Sequence, residues 1–343
     1  MSTAPRNNPA PAEKHWDGQV ESVASLAQRL HALRLDDDGR VIPVASVLNL
    51  VAVADEEAIG EVEALIESLA DHQPSRAVVV EMAEGDGTID AHLETRAEVF
   101  KGRGCVMVEL VRLTVHTTRP EGAASAVNAL VRTDLPIYVW WPRVPMPDDL
   151  LFDELETAAD RLVTESDREP DAVAALVQLN AIVERGNVAV TDLAWARITT
   201  WRQLITQLID GAHAERMRSG AVLQLWHAGE KPTAEALLFA GWFRSAVGDK
   251  LMVELHPRPD VADGGLVEVH VDAGGPQHMS IERVVGKETA AVVVYTAGRP
   301  TRRRVLPLPS RSRSELLAGE LEMARRDLPF ERALPHALVV APR

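Results

Sequence analysis

At 343 residues, 46% hydrophobic and 25% charged, the chain has the size and composition of two globular domains with ordinary cores. Its net charge of −15 excludes a general nucleic-acid binder, and no run of about eighteen apolar residues exists to span a bilayer. Its single cysteine, Cys105, excludes an intrachain disulfide or a cysteine-based metal site within one chain, and points to a reducing, cytoplasmic setting.

The opening MSTAPRNNPAPAEKHWDG lacks the apolar core of a secretory signal, and its Pro, Asn and Ala content predicts a disordered tail over residues 1–17. Val20, Val23, Leu26, Leu30 and Leu33 make one helical stripe, predicting an amphipathic helix over 18–35. After the turn DDDGR, the continuous apolarity of VIPVASVLNLVAVA (41–54) predicts a strand buried on both faces. Ile59, Val62, Ile66 and Leu69 then recur at helical spacing. Asp55, Glu56 and Glu57 stand at that helix's N-terminus, where the macrodipole favours acids. SRAVVVEMA (75–83) completes a β-α-β unit, for which parallel pairing and a right-handed crossover are expected.

HLETRAEVF (92–100) alternates like an exposed or edge strand, and CVMVELVRLTVH (105–116) is a strand that would bury Cys105. Pro120 suits the first position of a helix in PEGAASAVNALVRTD, which feeds the strand LPIYVWW. DDLLFDELETAA reads as a short helix and DRLVTES (160–166) as a short strand. Residues 18–167 are therefore expected to form an α/β domain, a mostly parallel sheet flanked by helices.

Residues 168–343 read as a helical connector (167–186 and 191–210) leading to an α+β domain. PTAEALLFAGWFRSAVG (232–248) is apolar nearly all round, as a buried helix would be. LMVELHP, LVEVHV, HMSIERVV, AAVVVYTA and TRRRVLPL follow at short spacing and predict a largely antiparallel sheet of about five strands. Asp263-Gly264-Gly265 and Ala273-Gly274-Gly275 supply hairpin turns, and helices near 313–326 and 329–338 close the chain.

Catalytic signatures are missing. G-x-G-x-x-G, the P-loop pattern, G-x-S-x-G and H-E-x-x-H do not occur. KGRGC (101–105) precedes a strand and reads as a hairpin turn; His116, His270 and His278 fall on or beside strands and read as structural. No catalytic residue, metal ligand or cofactor is assigned. Arg76 in HQPSR (72–76) is a candidate for holding an anion. It stands at the amino end of a strand, however, where α/β sheets do not gather ligands, and a plain turn explains the stretch better. Arg302, Arg303 and Arg304 are further anion candidates; from Thr301 onward nine arginines outnumber five acidic residues.

Two aromatic clusters suggest contact with a partner. In DLAWARITTWR (192–202), a continuous helix would lay Arg197 over Trp201 and bring Trp195 and Arg202 to one face. Such residues suit an interface hot spot or an interdomain seam. In DLPIYVWWPRVP (134–145), Trp140 and Trp141 point to opposite faces of a strand, so at least one belongs to the core. Arg143, in the PRVP beyond them, is the better candidate for touching a partner.

The order SVLNLVAVA, HQPSRAVVV, DLPIYVWWPRVP, ADRLVTES, DLAWARITTWR, LLFAGWFRSAVG resembles the glucose-6-phosphate dehydrogenase assembly proteins, the OpcA family. The resemblance implies a non-catalytic, cytoplasmic protein with no cofactor that binds glucose-6-phosphate dehydrogenase. As an allosteric activator it would promote the active oligomer through protein–protein interaction. It would thereby support NADPH production in the oxidative pentose phosphate pathway of carbohydrate metabolism, with neither nucleic acid nor membrane as partner. Redox control is linked to some cyanobacterial relatives; Cys105 alone excludes an intrachain thiol switch here. Two alternatives stay open: a sugar-phosphate-binding enzyme of the same pathway, its phosphate held by Arg76, Arg143 or Arg302–Arg304, and a scaffold for several enzymes.

Overall fold

The computed structural model describes residues 14–342 except 20–21, 36–38, 40–45, 71–74, 85–88, 100–104, 117–121, 147, 210, 262–264, 285, 297 and 324. Of the expectations above, most of the tail (1–13), Val20, residues 41–45, His72 to Pro74, the glycines of KGRGC, Pro120 and the Asp263-Gly264 turn lie outside the described residues. The chain divides into two compact units, Met1–Pro142 with Asp148–Leu162, and Arg143–Pro147 with Val163–Arg343.

The first unit runs β1 (Lys14–Gln19), α1 (Val23–Leu33), β2 (Leu48–Asp55), α2 (Ile59–Ala70), β3 (Ser75–Ala83), β4 (Asp90–Val99) and β5 (Cys105–His116). It continues with α3 (Ala123–Leu130), β6 (Ile137–Trp141), α4 (Leu150–Ala158) and the start of β7 (Arg161–Thr164). Its strands lie in the order β1-β4-β5-β3-β2-β6-β7. The central pairs β5–β3, β3–β2 and β2–β6 are parallel, as the β-α-β reading requires. Residues 48–54 of β2 are buried without a break, because helices cover a parallel sheet on both faces.

Two details correct the sequence reading. Residues 14–17, assigned to the tail, belong to β1, which pairs antiparallel with β4; β4 is consequently an inner strand. The physical reason is that β1 satisfies the backbone groups an edge β4 would expose, while Trp16 receives the Arg29 guanidinium at 5.5 Å. Helix α1 starts at Val23, because Ser22 forms a capping box with Ser25; Leu26 and Leu30 of the stripe are buried.

A charged knot lies inside this unit. Glu109 of β5 is fully buried between Arg34 and Arg76. Arg76 Nε donates to its Oε2 at 2.9 Å and Arg34 Nη2 at 3.1 Å. Arg76 also donates to the Leu130 carbonyl, and burial pulls its pKa down while Glu109 opposes that shift.

The second unit takes the end of β7 and a 3-10 turn (Ser166–Arg168), then α5 (Ala172–Arg185), β8 (Ala189–Asp192), α6 (Leu193–Arg197), α7 (Thr199–Leu208) and α8 (Gly211–Ser219). There follow β9 (Ala221–Ala228), α9 (Ala234–Val247), β10 (Leu251–Arg258), β11 (Leu266–Asp272), β12 (Gln277–Arg283), β13 (Thr289–Thr296) and β14 (Arg299–Pro307). Helices α10 (Arg313–Leu321) and α11 (Leu328–Val340) close it. The sheet is β10-β9-β11-β12-β13-β14, antiparallel except for β9–β10. It has one strand more than expected: β9, in AVLQLWHA, pairs in parallel with β10 across the α9 crossover. The Ala273-Gly274-Gly275 turn joins β11 to β12 with φ of 70° and 118° at its glycines, a conformation that L side chains rarely adopt.

Helix α9 is buried through residues 234–241 and at Phe243, in agreement with its all-round apolarity. Gly241 lets α11 approach its backbone: a Cβ there would lie 2.3 Å from the Ala333 carbonyl oxygen. Helix α11 in turn seats Phe330, Leu334 and Ala337 in the core.

Candidate functional site

A concave site lies wholly in the second unit. It is formed by the 3-10 turn after β7, α6, the loop after β9 and the first turn of α9, with a volume of about 420 Å³. Local rules place each wall. Asp192 caps α6 by accepting from Ala194 N at 2.9 Å. Its other contacts bind the turn after β7: Thr164 Oγ1 donates to its Oδ2 at 2.7 Å, Ser166 N at 2.9 Å, and Ser166 Oγ donates to its Oδ1 at 2.8 Å. Burial and the nearby Asp167 push Asp192 up to about 7, against these donors. Thr233 caps α9, accepting from Ala236 N at 3.3 Å, and so sets Glu235 in the first turn facing the cavity.

Glu235 is the electrostatic centre. Its side chain is 6% exposed and lies 2.9 Å from Arg197 Nε, while Leu266 N donates to its Oε2 at 3.2 Å. Gly265 lies against it: a Cβ there would come within 2.0 Å of Glu235 Oε2, so the carboxyl would have to move. Burial pushes the Glu235 carboxyl up to about 7; Arg197 pulls it down and Asp167 adds to the rise. Arg197 also donates through Nη2 to Asp167 Oδ2 at 3.0 Å, so one guanidinium serves two carboxylates. Glu169 and Lys231 complete the charged lining. A buried carboxyl poised near neutrality beside an arginine in a cleft is a recognised mark of a functional site. Among the described residues no group of three or more His, Cys, Asp or Glu could hold a metal, and no helix is long and apolar enough to cross a membrane.

A model of the glucose-6-phosphate dehydrogenase subunit N-terminal domain matches residues 66–181, and one of its C-terminal domain matches residues 188–334. The chain belongs to the OpcA family. It is similar to the OxPP cycle protein OpcA of Synechococcus elongatus, 27% identical over 52% of this chain and 41% of that one. The OpcA of Synechocystis is 26% identical over 53% of this chain and 38% of its own. The matches thus span about two fifths of the curated relatives' length. Among solved structures, glucose-6-phosphate 1-dehydrogenase from Mycobacterium avium has a TM-score of 0.44 at 11% identity over 86% of this chain and 91% of its own, a likeness too slight to carry an argument.

The residues singled out in this OpcA sequence fall into two groups. Trp140 and Trp141 are both buried, the latter edge-on to Phe152 at 5.8 Å. Trp195 and Trp201 are buried as well. None of the four rings faces outward: of the two readings that the sequence left open for them, partner contact and packing, their burial fits packing. The expected stack of Arg197 on Trp201 is also replaced. The helix breaks at Ile198 between α6 and α7, which frees Arg197 for Asp167 and Glu235. Arg283 lies 5.6 Å over Trp201 instead. Arg202 does share a face with Trp195, at 3.5 Å, while Trp195 Nε1 donates to Asp327 at 2.7 Å. Burial lowers Arg202 to about 10.

Arg76 is buried and its donors are committed to Glu109 and the Leu130 carbonyl, which counts against its candidacy as an anion holder. The exposed candidates are Arg143, 56% exposed and 3.8 Å from Glu169, and Arg302, Arg303 and Arg304 along β14, the edge strand. Sequence reasoning missed Asp167, Glu169, Lys231 and Glu235. Only Glu235 left a signal, as a charge inside a run otherwise apolar on every side.

Proposed function

We propose that this chain is a non-catalytic partner of glucose-6-phosphate dehydrogenase that favours the enzyme's active oligomer and thereby NADPH supply, inside the cell's reducing compartment. The observation that carries the reading is the family match, which extends over both halves of the chain. The first unit supports it. A dinucleotide-binding βαβ needs glycines between the first strand and its helix, so that backbone N–H groups can approach the pyrophosphate. Here the β2–α2 turn carries Asp55, Glu56 and Glu57, with Asp55 Oδ1 already accepting from Ala58 N at 2.9 Å. That turn repels a pyrophosphate.

The mechanism is linkage. A protein that binds the active dehydrogenase conformation more tightly than the inactive one shifts the equilibrium by its differential affinity; about 1–3 kcal/mol of coupling changes substrate affinity roughly 5–150-fold. A contact of this kind buries about 1,200 Å² or more. Arg143 and the arginine edge of β14 are the exposed cations offered to it, steering an acidic face of the dehydrogenase. Size-exclusion chromatography with light scattering on the purified pair tests the binding: a joint peak of larger mass is expected, and independent elution contradicts it.

One observation favours a second reading, a sugar-phosphate enzyme of the same pathway: the Glu235 carboxyl near neutrality in the cleft. Turnover of a sugar phosphate by the chain alone would select it.

A further inference from the structure

The cavity at Glu235 has no role in an account that works through a surface. Its volume of about 420 Å³ lies within the range of small-molecule sites, and it belongs to a single compact unit. The walls between the charged groups are proline, alanine and glycine with the hydroxyl residues Ser166 and Thr233, and no aromatic ring is among the lining residues. Nothing there stacks on a nucleobase or a nicotinamide.

The charges narrow the ligand further. Glu169 is paired with Arg143 and accepts from Val144 N, which leaves Asp167 and Glu235 facing Arg197 and Lys231. Arg197 is divided between Asp167 at 3.0 Å and Glu235 at 2.9 Å. A phosphate ester would have to compete with these two carboxylates for Arg197. Hydroxyl groups meet the opposite case, because an ionised carboxylate accepts at up to about four lone-pair positions and few of them are used here. Guanidinium and ammonium groups donate in turn to hydroxyl oxygens. The Glu235 carboxyl is also held in place, by Leu266 N and Arg197, in the room that Gly265 leaves it.

We propose that this cavity binds a small, uncharged polyhydroxylated molecule, a monosaccharide or a polyol of that size, through Asp167, Arg197, Lys231 and Glu235. Asp167 and Glu235 accept from adjacent hydroxyls, Arg197 holds both carboxylates in register, and Lys231 closes the open side. The site is independent of dehydrogenase binding.

Isothermal titration of the full chain with glucose, glucose 6-phosphate and inorganic phosphate tests it. Saturable glucose binding is expected, with glucose 6-phosphate no tighter and inorganic phosphate silent. Asp167→Asn, close in shape, should weaken glucose binding about tenfold or more, as loss of a charged acceptor does. Lys231→Ala is a surface change that leaves folding intact by circular dichroism, and it should weaken binding severalfold. Absence of glucose binding at millimolar concentration, tighter binding of the phosphate ester, or binding unchanged in both variants would overturn the proposal.

Discussion

Both units enclose an arginine–carboxylate network, and the two are built in opposite proportions. In the first unit, Glu109, wholly buried, is shared by Arg34 and Arg76, and the spare donors of Arg76 go to a backbone carbonyl. In the second, Arg197 is shared by Asp167 and Glu235, and the group opens on a cavity. Two cations on one wholly buried anion leave its oxygens little acceptor capacity for a ligand and tie β3 to β5. One cation on two anions, facing solvent, leaves acceptor capacity unspent. The same residue types thus give a structural knot in one place and a binding site in the other, and what separates them is stoichiometry and access.

The contrast can be broken experimentally. Glu109→Gln should have the largest effect, since it strands the buried Arg76 guanidinium and the half-buried one of Arg34; the expected loss is about 3–5 kcal/mol in chemical denaturation. A loss below about 1 kcal/mol would mean that the knot is dispensable. Gly241→Ala comes next: its Cβ meets the backbone of α11, so Ala333 must shift, at a cost of roughly 1–3 kcal/mol.

Glu235 sharpens the comparison through pH. Its ordinary value is 4.5 and its folded value about 7, with Arg197, Asp167 and Arg283 as its charged neighbours. Between those values the folded chain holds a proton that the unfolded chain has released, so stability falls as pH rises through the window and the penalty is complete above it. Buried Asp192, raised from 3.8 to about 7, adds to the same trend. Glu235→Gln should flatten the Glu235 share of this slope, read as a smaller difference between urea midpoints at about pH 5 and about pH 8. An unchanged slope would show that Glu235 is ionised throughout. The smallest effect on stability belongs to Arg143→Glu, within about 0.5 kcal/mol because the side chain is exposed. The same change should weaken activation of the dehydrogenase, and intact activation would clear that loop.

The sequence made the layered α/β unit legible through period: runs such as VLNLVAVA and AVVV can only be strands covered on both sides. It made α9 legible through length and apolarity. It hid β8 and β9. The first has four residues, too few for a period, and the second sits between polar segments, its alternation blurred by Val222 and Trp226 on the outward face and His227 on the buried one. Aromatic side chains misled, because tryptophan suits a core as well as an interface and only burial separates the two. The site was illegible for a related reason. Asp167, Arg197 and Glu235 are scattered over about seventy positions, and their meeting depends on a helix break at Ile198 that no helix-breaking residue announces.

The central claim is that this chain acts on glucose-6-phosphate dehydrogenase without catalysing a reaction itself. The most direct measurement is the glucose 6-phosphate saturation curve of dehydrogenase from the same cell, with and without a molar excess of the purified chain. The account predicts a lower half-saturation concentration or a higher plateau when the chain is present, and no turnover by the chain alone. Superimposable curves, or turnover by the chain alone, would contradict it.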